Sequence, residues 1–317
     1  MDYSKNRKIL DKVIEERQII RNISIHRKAD GSMDIEGNLR LWNSVIAKFE
    51  PIQLWEEGAP GYDEKVELQP EPSMIFIPSP SAKIRGTIVV AHGGGFEIRT
   101  GCEGMHIADY FNKAGYAVAI LTYRLKPYTR FDAIADMQRA IRVLRSRAEE
   151  LKISDKIAVM GFSAGGMLSG NCATHFDYGK ENDTDPAERY SCRPDAAVIG
   201  YGAFSFAAFP GPIFSQVFGD PARAEMIYLS PDKNITVETP PFFIWQTNGD
   251  DPRYVLNLAK ELTDVGIPFE LHCFPEGAHG LALADGNNDL DCKIPHVMHW
   301  SELCDEWLQG IGFLKTN

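Results

Sequence analysis

The sequence predicts an α/β fold, a mostly parallel central sheet with helices on both faces. Three observations predict it. From Ile84 onward, short apolar runs alternate with longer segments; most runs show no polar/apolar alternation; and the longer segments carry helical spacing. A strand buried on both faces reads as a continuous apolar run because neither side meets water.

The elements follow in chain order. The first fifty residues are highly charged, then turn amphipathic, with Ile35, Leu39, Trp42, Ile46 and Phe49 at helical spacing. They predict a helical extension, residues 1–50, packed on the main body or on a partner subunit. A Pro/Gly-rich stretch from Pro51 to Pro80 predicts edge strands and turns. The strand runs are Thr87–Ala91, Ala117–Leu121, Ile157–Met160, Ala196–Ile199, Pro241–Trp245 and Phe269–Phe274. Between and after them lie three helical patterns. One is Ile134, Met137, Ile141, Leu144 and Ala148; a second covers Val255 to Val265; a third is Val297, Trp300, Cys304, Trp307 and Ile311. Gly202–Thr239 breaks the rhythm with Phe, Pro and Gly and predicts a lid-like insertion (about 202–239) within one main domain of 51–317. Its Phe204, Phe206 and Phe209 either close a pocket or belong to the core.

Composition narrows the function classes. The 317 residues are 44% hydrophobic, 24% charged and 10% aromatic, which excludes a disordered, collagen-like or rod-like chain. A chain this long buries roughly 75% of its extended surface and needs no disulfide or metal staple. A net charge of −11 repels phosphate backbones and anionic lipid, so neither nucleic acid nor a membrane surface is an expected partner. Met1 to Ile20 carries charges throughout and lacks an apolar core of about 7–15 residues, so no secretory leader is expected and the chain is expected in the cytoplasm. Nor does any apolar stretch approach the ~18 residues of a membrane span. Cys102, Cys172, Cys192, Cys273, Cys292 and Cys304 show no pairing rhythm and are expected as free, half-buried thiols. Asn-x-Ser/Thr matches begin at Asn22, Asn182 and Asn234, and carry meaning only in a secretory pathway.

Gly161-Phe162-Ser163-Ala164-Gly165 follows the run at 157–160 and precedes a helical stretch. A serine on a sharp strand-to-helix turn is thrust out above the carboxyl end of a sheet, and small flanking residues let neighbouring elements approach. Ser163 is therefore the candidate nucleophile. His92-Gly93-Gly94-Gly95-Phe96 follows the run at 87–91, where backbone N–H groups turned toward one point can hold an oxyanion. Gly94 and Gly95, with the amide of Ala164 after the nucleophile, are the candidate donors.

A serine hydroxyl needs a base, and the base a carboxylate that holds its tautomer. His279 lies in a loop just after the last strand run, the expected place for a base in a chain ordered Ser, acid, His. His272 lies inside that run, and His106 and His175 on predicted helices. His296 and His299 stand three apart but lack a third ligand at zinc spacing. The acid should follow the run at 241–245, where Asp250 and Asp251 are adjacent. Asp251 precedes Pro252 and has a structural use as a helix cap, so Asp250 is the first choice and Asp251 remains open. Nucleotide loops and zinc spacings are absent, and residues 285–291 (DGNNDLD) put Leu290 where a calcium loop requires glycine. That segment is expected to be a solvated turn. No cofactor and no metal are expected.

Together His92–Phe96, Tyr123-Arg124-Leu125, Gly161–Gly166, the Asp-Asp-Pro loop and Phe274–Leu283 resemble the α/β-hydrolase superfamily from roughly Pro51 onward. Residues 55–61 (WEEGAPG), 239–247 (TPPFFIWQT) and Pro295-His296-Val297 with Trp300 are similar to bacterial esterases of the acetyl-xylan-esterase or BD-FAE type. The resemblance implies a catalytic domain at 51–317 and a triad of Ser163, an aspartate of the Asp-Asp-Pro loop, and His279. It places the acid a short step after the strand-ending residue, here Gln246, which favours Asp250. It also implies ester hydrolysis, with a carbohydrate O-acetyl ester such as an acetylated xylo-oligosaccharide as substrate. Relatives usually continue the acid loop with valines and a proline, whereas this chain has Arg253-Tyr254-Val255, so the choice between the aspartates stays open. The long charged N-terminus exceeds the usual pattern and leaves room for a homo-oligomer. A general carboxylesterase or peptidase is the alternative within enzymes. A non-catalytic binding protein on the same fold is the alternative outside them.

Overall fold

The computed structural model describes residues 3–16, 28–81, 85–209, 223–288 and 290–313. The Asn-x-Ser match at Asn22, residues 1–2 and 17–27 of the expected extension, and 210–222 of the expected insertion lie outside them. The strands are β1 (Pro51–Gln53), β2 (Ser73–Ile77), β3 (Thr87–Ala91), β4 (Ala117–Thr122), β5 (Ile157–Phe162), β6 (Ala196–Gly200), β7 (Phe242–Thr247) and β8 (Phe269–Phe274). The helices are α1 (Ser4–Glu15), α2 (Ile35–Ile46), α3 (Ile107–Lys113), α4 (Arg130–Ser146), α5 (Ala148–Leu151), α6 (Ala164–Thr174), α7 (Arg223–Tyr228), α8 (Arg253–Val265), α9 (Pro295–Met298) and α10 (Trp300–Gly310). A π-helical turn, Cys102–His106, runs directly into α3.

One eight-stranded sheet runs β1-β2-β4-β3-β5-β6-β7-β8. β1 and β2 are antiparallel to their neighbours, and the strands from β4 to β8 pair in parallel. The α/β prediction holds, and its physical basis is visible along each strand. Val89, Ala119, Val159, Ile199 and Ile244 point to one face, where Met137, Ile141, Leu144 and Leu258 cover them. Ile88, Val118, Met160, Val198 and Trp245 point to the other, covered by Phe111, Trp300 and Leu308. Burying one such side chain contributes about 1.5–3 kcal/mol. Strands β3 to β7 are buried at every residue.

The order also places the site. From β3 the chain steps outward to β4 and then returns to β5 on the other side of β3, so the loops leaving β3 and β5 part company. A crevice outside the carboxyl ends of such strands is where open α/β sheets bind ligands.

Several elements differ from expectation. β8 is half-exposed because it is the sheet edge. The helix expected over Ile134–Ala148 starts at Arg130, since Thr129 and Asp132 form a reciprocal capping box, and ends at Ser146. The last helical pattern splits at His299 into α9 and α10. Ile35 is 38% exposed because Asp34, accepting the Gly37 N–H, makes it the first residue of α2, at the open helix end. The other members of that stripe pack inward: Trp42 is fully buried, and Leu39 and Phe49 are buried too. Of α1, Leu10 and Val13 join the core beside Ile75 and Ile77, and Asn6 donates to the Phe76 and Glu50 carbonyls.

Of the described residues of the expected solvated turn, Leu290 and Asp291 are exposed as expected, whereas Asp285 and Asn288 are tied into the fold. Asp285 binds His106 at 2.9 Å, and buried Asn288 donates to the Leu281 and Cys292 carbonyls. His106 lies on a helix as expected, the π-helical turn that runs into α3, whereas His175 lies just past the end of α6. All six cysteines are free; Cys102, Cys172, Cys192 and Cys304 are buried, Cys292 is half-buried and Cys273 is exposed. Among the described residues no helix is long and apolar enough to cross a membrane.

Candidate active site

Ser163 stands between β5 and α6 with φ 52° and ψ −120°, a region few residues with side chains occupy. The turn is too tight for side chains at its flanks. A Cβ on Gly161 would stand 1.9 Å from the Gly165 carbonyl oxygen, and one on Gly165 2.2 Å from that of Ala91. The Ser163 N–H is held by the Gly200 carbonyl at 3.0 Å, which ties the turn to β6.

His279 Nε2 lies 2.7 Å from Ser163 Oγ, and its Nδ1 lies 2.9 and 3.1 Å from the two carboxylate oxygens of Asp250. Residues 116 and 29 positions apart in the chain thus form one hydrogen-bonded line. The loops carrying the acid and the base touch: a Cβ on Gly249 would stand 2.3 Å from the Gly277 carbonyl oxygen. Asp251 points elsewhere. It accepts the Arg253 N–H at 3.0 Å and pairs with the Arg253 guanidinium at the start of α8. Desolvation pulls His279 toward neutrality, but the hydrogen bond and charge of Asp250, with a smaller contribution from Glu103, raise it above the ordinary imidazole value.

Gly94 has φ 115°, and a Cβ there would strike the Ile98 carbonyl at 2.1 Å. The glycine loop lies against the serine, with Ser163 Cβ 3.0 Å from where a Cβ on Gly93 would stand. Of the three glycines, Gly93 gives its N–H to the carboxylate of Glu103 at 3.0 Å. Among the described residues no protein acceptor takes the N–H of Gly94, Gly95 or Ala164. His92, fully buried and stacked on Tyr123 at 4.5 Å, is pushed down to about 3, mainly by burial, and so stays neutral. It packs beneath the loop and does not reach the serine line. His272 contacts Glu270 on β8, as a residue inside that strand should.

Phe204, Phe206 and Phe209 divide between the two expectations. Phe206 is buried; Phe204 stacks on it at 5.9 Å and reaches His279 at 6.4 Å. Tyr254 meets Phe204 and Phe209 edge-on at 5.4 and 5.7 Å. The tyrosine and arginine of residues 123–125 have structural work. Tyr123 donates to the His92 carbonyl at 2.8 Å, and fully buried Arg124 grips Asp136 of α4 and the Pro60 carbonyl.

Sequence reasoning missed Glu103, Tyr201 and Asn38. Glu103 could have been flagged as a lone acid among Cys102, Met105 and Ile107. Asn38 exchanges both hydrogen bonds with the backbone of Arg99, 61 residues away, and nothing local signals that.

Fold, strained serine turn and hydrogen-bonded serine–histidine–aspartate line define this chain as an α/β hydrolase. The BD-FAE family pattern matches residues 74–257, more than half of the chain, and the chain belongs to that family. It is similar to the solved acetyl ester-xyloside bifunctional hydrolase from Caldicellulosiruptor lactoaceticus, at 35% identity and TM-score 0.77, covering 83% of this chain and 97% of that one. Endo-1,4-beta-xylanase B of Butyrivibrio fibrisolvens is 31% identical over 242 residues, 73% of this chain and 38% of that protein. Acetylxylan esterase of Xylanibacter ruminicola is 25% identical over 258 residues, 77% of this chain and 48% of that protein. The chain therefore spans less than half the length of these two curated relatives.

Proposed function

We propose that the protein is a serine esterase that removes O-acetyl groups from xylo-oligosaccharides or related sugars. The observation that carries the reading is His279, placed between Ser163 and Asp250 with one ring nitrogen on each. Ser163 Oγ attacks the ester carbonyl while His279 Nε2 takes its proton, and Asp250 stabilises the imidazolium. The carbonyl oxygen, now negative, rests on the free N–H groups of Gly94, Gly95 and Ala164 at the N-terminus of α6. His279 returns its proton to the leaving sugar hydroxyl. Water, deprotonated by the same nitrogen, then releases acetate from the acyl-serine. Each step uses only groups of this chain, the ester and water.

The sugar assignment is supported by the names of the relatives, which include an acetylxylan esterase and an acetyl ester-xyloside hydrolase. A panel of acetylated xylo-oligosaccharides, acetylated manno-oligosaccharides and acetylated cephalosporins tests it, with acetate release as readout. The xylo-series should lead by kcat/KM. A lead for the cephalosporins, or p-nitrophenyl butyrate cleaved faster than the acetate, points to a general carboxylesterase instead.

A further inference from the structure

Behind the serine line lies a carboxylate that the mechanism above does not use. Glu103, on the π-helical turn, is 2% exposed, and among the described residues no cation pairs with it. Its two oxygens are surrounded by donors only. One oxygen accepts the Gly93 N–H at 3.0 Å and the Thr100 hydroxyl; the other accepts the Tyr201 hydroxyl at 2.7 Å. The Tyr201 oxygen in turn accepts the Ala282 N–H at 2.9 Å, so the phenolic proton is directed at Glu103. An acceptor-only group suits three donors, and that group is the ionised carboxylate. Tyr201 also lays its ring edge-on to His279 at 5.0 Å. One buried anion thus holds the glycine loop on one side and, through Tyr201, the loop after His279 on the other.

We propose that Glu103 is a positioning residue of the ester hydrolysis: it ties the oxyanion loop to the base loop and places a second negative charge behind His279. The proposal rests on the esterase reading for its kinetic consequences only. When His279 takes the serine proton, a positive charge appears on the ring, and a buried anion nearby favours that state. The groups facing His279 are Ser163 from the turn after β5, Asp250 from the loop after β7, Tyr201 from the end of β6 and Glu103 from the π-helical turn. Tyr254 and the Asp251–Arg253 pair stand further out on the acid side. Asp250 and Glu103 are the two carboxylates that act on the ring, and both favour its protonated form.

The test is the NMR titration of His279 in the full chain, together with kcat, KM and the pH profile on p-nitrophenyl acetate, for wild type, Glu103→Gln and Tyr201→Phe. In Glu103→Gln the His279 titration and the acid limb of kcat/KM should both move to lower pH. There kcat should fall about tenfold, less than the 10²–10³ lost with an oxyanion donor itself, at a KM within about twofold. Tyr201→Phe keeps the charge and cuts the tie, so kcat should fall while His279 titrates close to wild type. An unchanged His279 titration in folded Glu103→Gln overturns the proposal. Should that variant not fold, unchanged kcat in folded Tyr201→Phe overturns it instead. A chain whose His279 titration moves as expected but which cleaves no ester sinks the esterase reading and leaves the electrostatic role of Glu103 standing.

Discussion

His279 Nδ1 is bracketed by both carboxylate oxygens of Asp250, at 2.9 and 3.1 Å, while the neighbouring Asp251 is turned away and held by Arg253. Two adjacent aspartates therefore have separable uses. Asp250→Asn should lower kcat by about 10⁴, the loss expected when the base is held in the wrong tautomer. Asp251→Asn should change kcat less than about threefold, because its exposed pair with Arg253 contributes little and does not touch His279. Steady-state kinetics on p-nitrophenyl acetate with both variants decides; equal losses contradict the separation.

The pH profile follows from His279. The base must be neutral to accept the serine proton, and its value is raised, chiefly by Asp250. Activity is therefore absent at low pH and appears as pH rises through the raised value. The acid limb of kcat/KM, which reports the free enzyme, should have its midpoint above the ordinary imidazole value of about 6.5. A midpoint below 6.5 is incompatible with the hydrogen bonding described.

Helix α2 lies outside the residues that match the family pattern, yet it braces the glycine loop. Asn38 bonds the Arg99 backbone at 3.1 and 2.9 Å, and Trp42 packs on His92 at 5.1 Å. Asn38→Ala strips two buried backbone groups of their partner and should cost about 1–3 kcal/mol in urea unfolding. It should also lower kcat about tenfold, short of the 10²-fold that a 1 Å misplacement can cost. Normal kcat in a destabilised Asn38→Ala would show that α2 supports the fold without setting the loop.

Arg124 and Asp136 are a fully buried pair, with side chains 1% and 0% exposed. Asp136→Ala leaves the buried guanidinium with only the partly exposed Asp132 carboxylate at 3.4 Å and should destabilise the chain by about 3–5 kcal/mol in urea unfolding. A loss below about 1 kcal/mol contradicts this description of the pair.

What could be read in advance follows from the range of each interaction. Strands β3 to β7 announce themselves because burial on both faces leaves them almost wholly apolar, with Thr87, Thr122, Gln246 and Thr247 only at strand ends. Ser163 was legible as a candidate because a tight strand-to-helix turn demands glycine at 161 and 165, a constraint written in five consecutive letters. Asp250 and Asp251 could not be separated, since adjacent carboxylates differ only in where a fold aims them. Glu103, Tyr201 and Asn38 were missed for a related reason. Each acts through at least one partner 10 to 98 positions away, and a single polar letter in an apolar stretch does not name its partner. Asp285 shows the converse error. Its acidic, Asn-rich surroundings look solvated, yet it closes on His106 from 179 residues away.

The most direct test of the account is to trap the acyl-enzyme. The full chain is mixed with p-nitrophenyl acetate, quenched within the burst, digested and mapped by mass spectrometry, with Ser163→Ala alongside and a fluorophosphonate as a second label. The account predicts a stoichiometric burst of p-nitrophenol, with acetyl and phosphonyl adducts on Ser163 and neither in Ser163→Ala. Ester cleavage that persists in Ser163→Ala, or a wild-type chain that takes neither label on Ser163, would contradict it.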